Sequence, residues 1–131
     1  MRRALVLLIP VLLLPACGGG KPSCGPAPPE LAALEDLPPG FPVPAEVTWT
    51  GDREAGPSRV LEGVQAQTLG EAFESWKAAF TQAAGYDVIA EEQEAADAEV
   101  NFAGGGTTGQ VRLVDRCAEH LNLSVVIRPE V

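Results

Sequence analysis

The stretch TLGEAFESWKAAFTQAAG, from Thr68 to Gly85, decides the fold. Thr68-Leu69-Gly70-Glu71 has the form of a capping box. The threonine hydroxyl accepts from the backbone N–H three residues on, and the glutamate reaches back to the threonine N–H. Behind it Leu69, Phe73, Trp76, Phe80 and Ala83 or Ala84 recur at i, i+4, i+7 and i+11, which is the spacing of one helical face. Glu71, Glu74, Lys77 and Gln82 fall elsewhere, and Gly85 can supply the left-handed residue that ends a helix. One amphipathic helix with one apolar stripe packs on one surface, so Trp76 and Phe80 are expected to be buried there.

On both sides of this segment the period shortens to two. Leu121, Leu123, Val125 and Ile127 alternate with Asn122, Ser124 and Arg128, and Val47 and Trp49 alternate with Thr48 and Thr50. These are strand patterns. Val60 to Thr68 reads as a further strand with Val64 and Ala66 inward and a bulge near Leu61 and Gly63. Gly51 to Pro57 reads as a turn or loop before it. Tyr86 to Ala90, Glu99 to Ala103 with Val100 and Phe102 inward, and Gln110 to Val114 with Val111 and Leu113 inward complete the set. The order along the chain is then ββαββββ. One helix cannot cover both faces of a sheet, so the expected fold is α+β: a two-layer sandwich, with a mainly antiparallel sheet packed by one amphipathic helix.

The N-terminal third has a different composition. Arg2 and Arg3 precede an apolar run from Ala4 to Leu14, and Leu14-Pro15-Ala16-Cys17 is followed by three glycines. A charged start, a short apolar run and small residues at its end make a secretory signal peptide. The run is shorter than the ~20 residues a spanning helix needs. Leu14 to Cys17 resembles the lipobox of bacterial lipoproteins. The resemblance implies cleavage before Cys17, a diacylglyceryl group on its thiol, and palmitate-type acyl chains that hold the protein in a membrane. Two chains anchor stably where one does not. Gly18 stands where an aspartate would favour retention in an inner membrane, so the expected location is the extracytoplasmic side of the cell membrane or outer membrane.

The boundaries expected on this reading are a signal peptide over 1–16, a Gly/Pro-rich tether over 17–38 and a small domain over 39–131. The tether holds the folded part off the membrane, and Glu30 to Leu37 within it could form one or two helical turns. With Cys17 used by the lipid, Cys24 and Cys117 remain in an oxidising compartment, and a disulfide between them is the expected state. The net charge is −9, and it becomes two units more negative once Arg2 and Arg3 leave. An acidic chain is unsuited to nucleic acid, whose phosphates need Lys and Arg.

A second resemblance rests on Pro38-Pro39-Gly40-Phe41-Pro42-Val43-Pro44 ahead of a strand, Phe73-Glu74-Ser75-Trp76-Lys77-Ala78-Ala79-Phe80, and Ala84-Gly85-Tyr86. This is similar to a loose group of small bacterial lipoprotein domains. They share a proline-rich lead-in, a helix with paired aromatics and a glycine–aromatic step into the next strand. The resemblance covers most of the chain after Pro38 and implies no activity for any residue.

Three constellations invite a chemical reading. Cys117 and His120 stand three apart, but a structural zinc site takes about four ligands, and the chain has one histidine. The acidic run Glu91, Glu92, Glu94, Asp97 and Glu99 lacks the spacing of a calcium loop and reads as a solvated turn. Gly104 to Gly109 has glycine spacing like a phosphate loop, but Gln110 and Val111 stand where Lys and Ser/Thr should follow. It reads as a hairpin. No catalytic residue, metal ligand set or cofactor is therefore expected. The expected function is a non-enzymatic binding or assembly module of the cell envelope, with an envelope protein as partner. The alternative is a small envelope hydrolase or other enzyme using a carboxylate, for which Glu62 and the acidic run are the nearest candidates.

Overall fold

The computed structural model describes residues 20–131. Cys17 and the signal-peptide segment lie outside the described residues. Six strands and one helix follow one another as β1 (Val47–Ala55), β2 (Ser58–Gln65), α1 (Leu69–Gln82), β3 (Tyr86–Gln93), β4 (Asp97–Gly104), β5 (Thr107–Val114) and β6 (Leu121–Pro129). All strands lie in one antiparallel sheet, so the fold is mixed α+β and mostly sheet.

The order across the sheet differs from the order along the chain: β1-β2-β6-β5-β4-β3. Four of its five pairings join consecutive strands, as short connections favour. The fifth, β2 with β6, closes the sheet. It follows from α1, which carries the chain away from β2, so that β3 starts at the far edge. A 14-residue helix is about 21 Å long at ~1.5 Å per residue. It runs along the strands as well as across them, since β2 ends at Gln65 beside Leu121 and β3 begins at the opposite end of the sheet, where Tyr86 pairs with Gly104. The meander β3–β6 then returns, and its last strand meets β2.

The capping box forms as the residues dictate. The Glu71 N–H donates to the Thr68 hydroxyl at 3.3 Å, and the Thr68 N–H donates to the Glu71 carboxylate at 3.0 Å. Leu69, Ala72, Phe73, Trp76 and Phe80 are buried. The helix stops at Ala83, and the left-handed Gly85 (φ +80°) sits two residues later in the turn to β3. Phe80 stacks on Phe102 of β4 with ring centroids 4.4 Å apart. Phe41 of the proline-rich lead-in meets Phe80, Tyr86 and Phe102 edge-on. Edge-on and offset contacts suit the ring quadrupoles.

Five local expectations need correction. In β2 the inward residues are Leu61, Gly63 and Gln65, while Val64 is half-buried and Ala66 lies exposed past the strand end. The bulge that shifts the ladder lies in β1, between Trp49 and Gly51. Partnership with β6 sets the inward face: Leu61 stands opposite Val125, Gly63 opposite Leu123 and Gln65 opposite Leu121. β1 also runs on through Gly51 to Ala55, so the loop shrinks to Gly56-Pro57. β3 extends through Glu91 and Glu92 to Gln93, which puts the start of the acidic run in a strand.

The fifth correction concerns residues 30–37, which form no helix. Leu31, Leu34 and Leu37 are half-buried, and Leu34 and Leu37 pack against the core. Leucines three apart suit an extended chain with three residues per turn as well as a helix, and Pro38-Pro39 disfavours the helix.

Candidate functional site

The two cysteines meet at one end of the sheet. Cys117 lies in the β5–β6 connection, and its Sγ is bonded to Cys24 with the Cα atoms 5.3 Å apart, inside the range a disulfide spans. The neighbouring residues are held as well. Lys21 Nζ pairs with Asp115 at 2.6 Å, and the Ala118 N–H donates to the Pro22 carbonyl at 3.1 Å. The Ser23 hydroxyl donates to one Glu119 carboxylate oxygen, and the Cys24 N–H donates to the other at 3.1 Å. These two donors, the serine first, hold the Glu119 carboxyl below the usual glutamate range because hydrogen bonds to a charged form favour it.

A cleft of about 400 Å³ opens beside this corner, lined by Gln65, Gln67, Thr68, Glu71, Glu119 and His120 among others. His120 is therefore placed near Cys117, as their spacing requires. Cys117, however, is buried and bonded through sulfur, so no thiolate is present to act as ligand or nucleophile. Among the described residues no group of three His, Cys, Asp or Glu side chains could hold a metal.

The other surface with organised side chains is the sheet face opposite the helix. Along β4, Ala98, Val100 and Phe102 are buried in the core. Asp97, Glu99 and Asn101 therefore point the other way, since strand side chains alternate. There they meet β5. Arg112 reaches Asp97 at 3.3 Å and Glu99 at 3.8 Å, and the Gln110 amide donates to Glu99 at 3.0 Å and to Asn101 at 3.2 Å. Next to this ladder a groove of about 310 Å³ is lined by Val64, Asn122 and Val114 of three neighbouring strands. Pro28, Thr50, Glu62 and Ser124 are among the residues around it. Glu62 is exposed, and no basic side chain among the described residues pairs with it.

The acidic run is thus divided. Glu91 pairs with Lys77 of the helix at 3.1 Å, whereas Asp97 and Glu99 belong to the opposite face. The bulge between Val88 and Ala90 re-aims the end of β3. The glycine run makes the β4–β5 hairpin. Its two turn residues, Gly105 and Gly106, have φ of +58° and +74°, and a two-residue primed turn calls for positive φ at both.

Sequence reasoning missed two polar centres. Gln65 is 0% exposed and accepts from the Trp76 indole N–H at 3.0 Å. Its own amide donates to Gln67, whose amide donates to Ser75 at 3.2 Å. A glutamine in a strand carries no local signal of such burial. Arg59 donates to both oxygens of Asp52 at 3.0 and 2.8 Å, and to the carbonyls of Asp36 at 2.8 Å and Glu35 at 2.6 Å. The Arg59 guanidinium, hydrogen-bonded to Asp52, lowers the pKa of that carboxyl. Opposite charges flanking Gly56-Pro57 could have pointed to the Asp52–Arg59 pair, but not to the carbonyls from residues 35 and 36.

Comparison of the chain with protein-family models, curated proteins and solved structures finds no match.

Proposed function

We propose that this protein is a lipid-anchored lipoprotein of the bacterial envelope, processed before Cys17, with a two-layer α+β domain that serves as a non-enzymatic binding or assembly module. Its binding surface is the sheet face opposite the helix, and its partner is another envelope protein. The observation that carries this reading is the one-sided sheet. Helix α1, Leu34, Leu37 and Phe41 pack against the apolar side, while the other side presents the Arg112 ladder beside a groove lined by both apolar and polar side chains. Charged side chains fixed by their neighbours form a preorganised surface, and preorganisation lowers the entropy cost of association. The location rests on Arg2, Arg3, the apolar run and the lipobox at Leu14 to Cys17.

Two measurements test this. Mass spectrometry of protein taken from membranes is expected to show an acylated N-terminus at Cys17, and an unmodified Cys17 ends the lipoprotein reading. A photo-crosslinker at Val64 or Ser124 is expected to capture one discrete envelope protein that the same probe at Gly56 does not. Identical adducts from all three sites remove the sheet face from consideration. The alternative, an enzyme acting through a carboxylate, is favoured by the place of Glu62 on the groove wall. E62Q would abolish such an activity while leaving crosslinking through Val64 intact.

A further inference from the structure

We infer that the Gly/Pro-rich segment is a strap and not a leash, and that the Cys24–Cys117 disulfide sets how far the domain can move from the bilayer. This rests on the acylation of Cys17 proposed above. A segment of this composition ordinarily behaves as a spacer. Here it is attached to the domain almost from its start. Lys21 is paired with Asp115, the Pro22 carbonyl accepts from Ala118, and Cys24 is bonded to Cys117. Further on, the Leu31 N–H donates to the Trp49 carbonyl at 2.9 Å, Arg59 holds the carbonyls of residues 35 and 36, and the Tyr86 hydroxyl donates to the Pro39 carbonyl at 3.0 Å.

The consequence is one of length. From Cys17 to Cys24, the covalent attachment, the chain has seven residues, and a fully extended chain covers at most ~3.5 Å per residue, or about 25 Å. The first attachment is to the β5–β6 connection at one end of the sheet. The β1–β2 turn at Gly56 and the β4–β5 turn at Gly105 and Gly106 lie at the other end, about 26 Å away for eight-residue strands at ~3.3 Å per residue. The disulfide therefore keeps this corner within about 25 Å of the headgroups, while the distal turns stand farther off on average. The strands run between these two ends, so the open face and its groove look sideways, toward a neighbour in the same membrane.

The corner mixes Lys21 and Arg116 with Asp115 and Glu119, so headgroup charge is not what holds it down. Exposed ion pairs and hydrogen bonds at this corner are weak, which leaves the disulfide as the durable link. Without it the next firm attachment is at Leu31. The free chain then grows to fourteen residues, or about 49 Å at ~3.5 Å each, longer than the sheet itself. The covalent bond between strap and domain thus sets the radius in which a partner can be met.

The full-length protein, purified from membranes and placed in zwitterionic nanodiscs carrying a gadolinium-chelating headgroup, tests this by paramagnetic broadening of amide resonances. Residues 115–120 are expected to broaden several-fold more than the turns at Gly56 and Gly106. The gradient is expected to collapse in a C24S/C117S double variant. It should also collapse when ten Gly/Ser residues are inserted after Gly20 with the disulfide intact, a change that leaves the fold untouched. Equal broadening of both ends in the parent protein, or a gradient that survives the insertion, overturns the inference. Failure of the protein to join nanodiscs overturns the anchoring at Cys17 instead, and the inference falls with it.

Discussion

Replacing Trp76 by Phe separates two roles of one buried side chain. The indole fills the space between helix and sheet, and its N–H satisfies Gln65, which is itself fully buried. Shrinking the ring leaves a void of about 40 Å³, which costs on the order of 1 kcal/mol at ~24 cal/mol per Å³. Leaving the Gln65 carbonyl oxygen without a donor adds about 1–3 kcal/mol, so W76F is expected to destabilise the domain by about 2–4 kcal/mol. Q65L strands the indole N–H and costs about 1–3 kcal/mol for the same reason. In the double variant neither orphan remains. Gln67 loses its donor, but it lines the open cleft at the disulfide corner, where water can replace it. The pair is then expected to cost about 1–2 kcal/mol, giving a coupling of about 2–5 kcal/mol because both orphan penalties vanish together. Urea unfolding of the oxidised protein, with equal slopes across the four proteins, measures it. A double variant whose cost equals the sum of the singles refutes the role assigned to this hydrogen bond.

Further outcomes follow from the same contacts. The disulfide joins residues 93 apart, so C24S/C117S should lose about 4–5 kcal/mol by loop-closure entropy; an unchanged urea midpoint would show that the pairing does not restrain the unfolded chain. G109A should destabilise by about 1–3 kcal/mol as an overpacking substitution, because a Cβ there would stand 2.2 Å from the backbone oxygen of Val126 and 2.5 Å from the Phe102 ring; wild-type stability in thermal melts would contradict that close approach. Glu119 has its pKa lowered in the folded state, so its hold on Ser23 and Cys24 is complete above the ordinary glutamate pKa and is lost as pH falls through the depressed value. The Cys24 amide shift should therefore move only at a pH below the usual glutamate range, and a transition above it would mean that the carboxylate is not held there.

What the chain determined by itself lies in consecutive residues. Thr68 to Gln82 specifies the helix and its start, because a capping box and a 3.6-residue apolar stripe are short-range features. Leu121 to Ile127 specifies a one-sided strand by strict alternation. Tertiary structure decided the rest. Read alone, β2 offers Val64 and Ala66 as its inward set. Pairing with β6 turned Leu61, Gly63 and Gln65 inward, because a one-residue change of register exchanges the faces of a strand. The place of β6 between β2 and β5 depends on where the helix delivers β3. The docking of residues 21–41 depends on Arg59, Asp115, Glu119 and Tyr86. Each of these lies at least 20 residues beyond its partner in the chain, where no local pattern connects them and only the folded sheet brings them within reach.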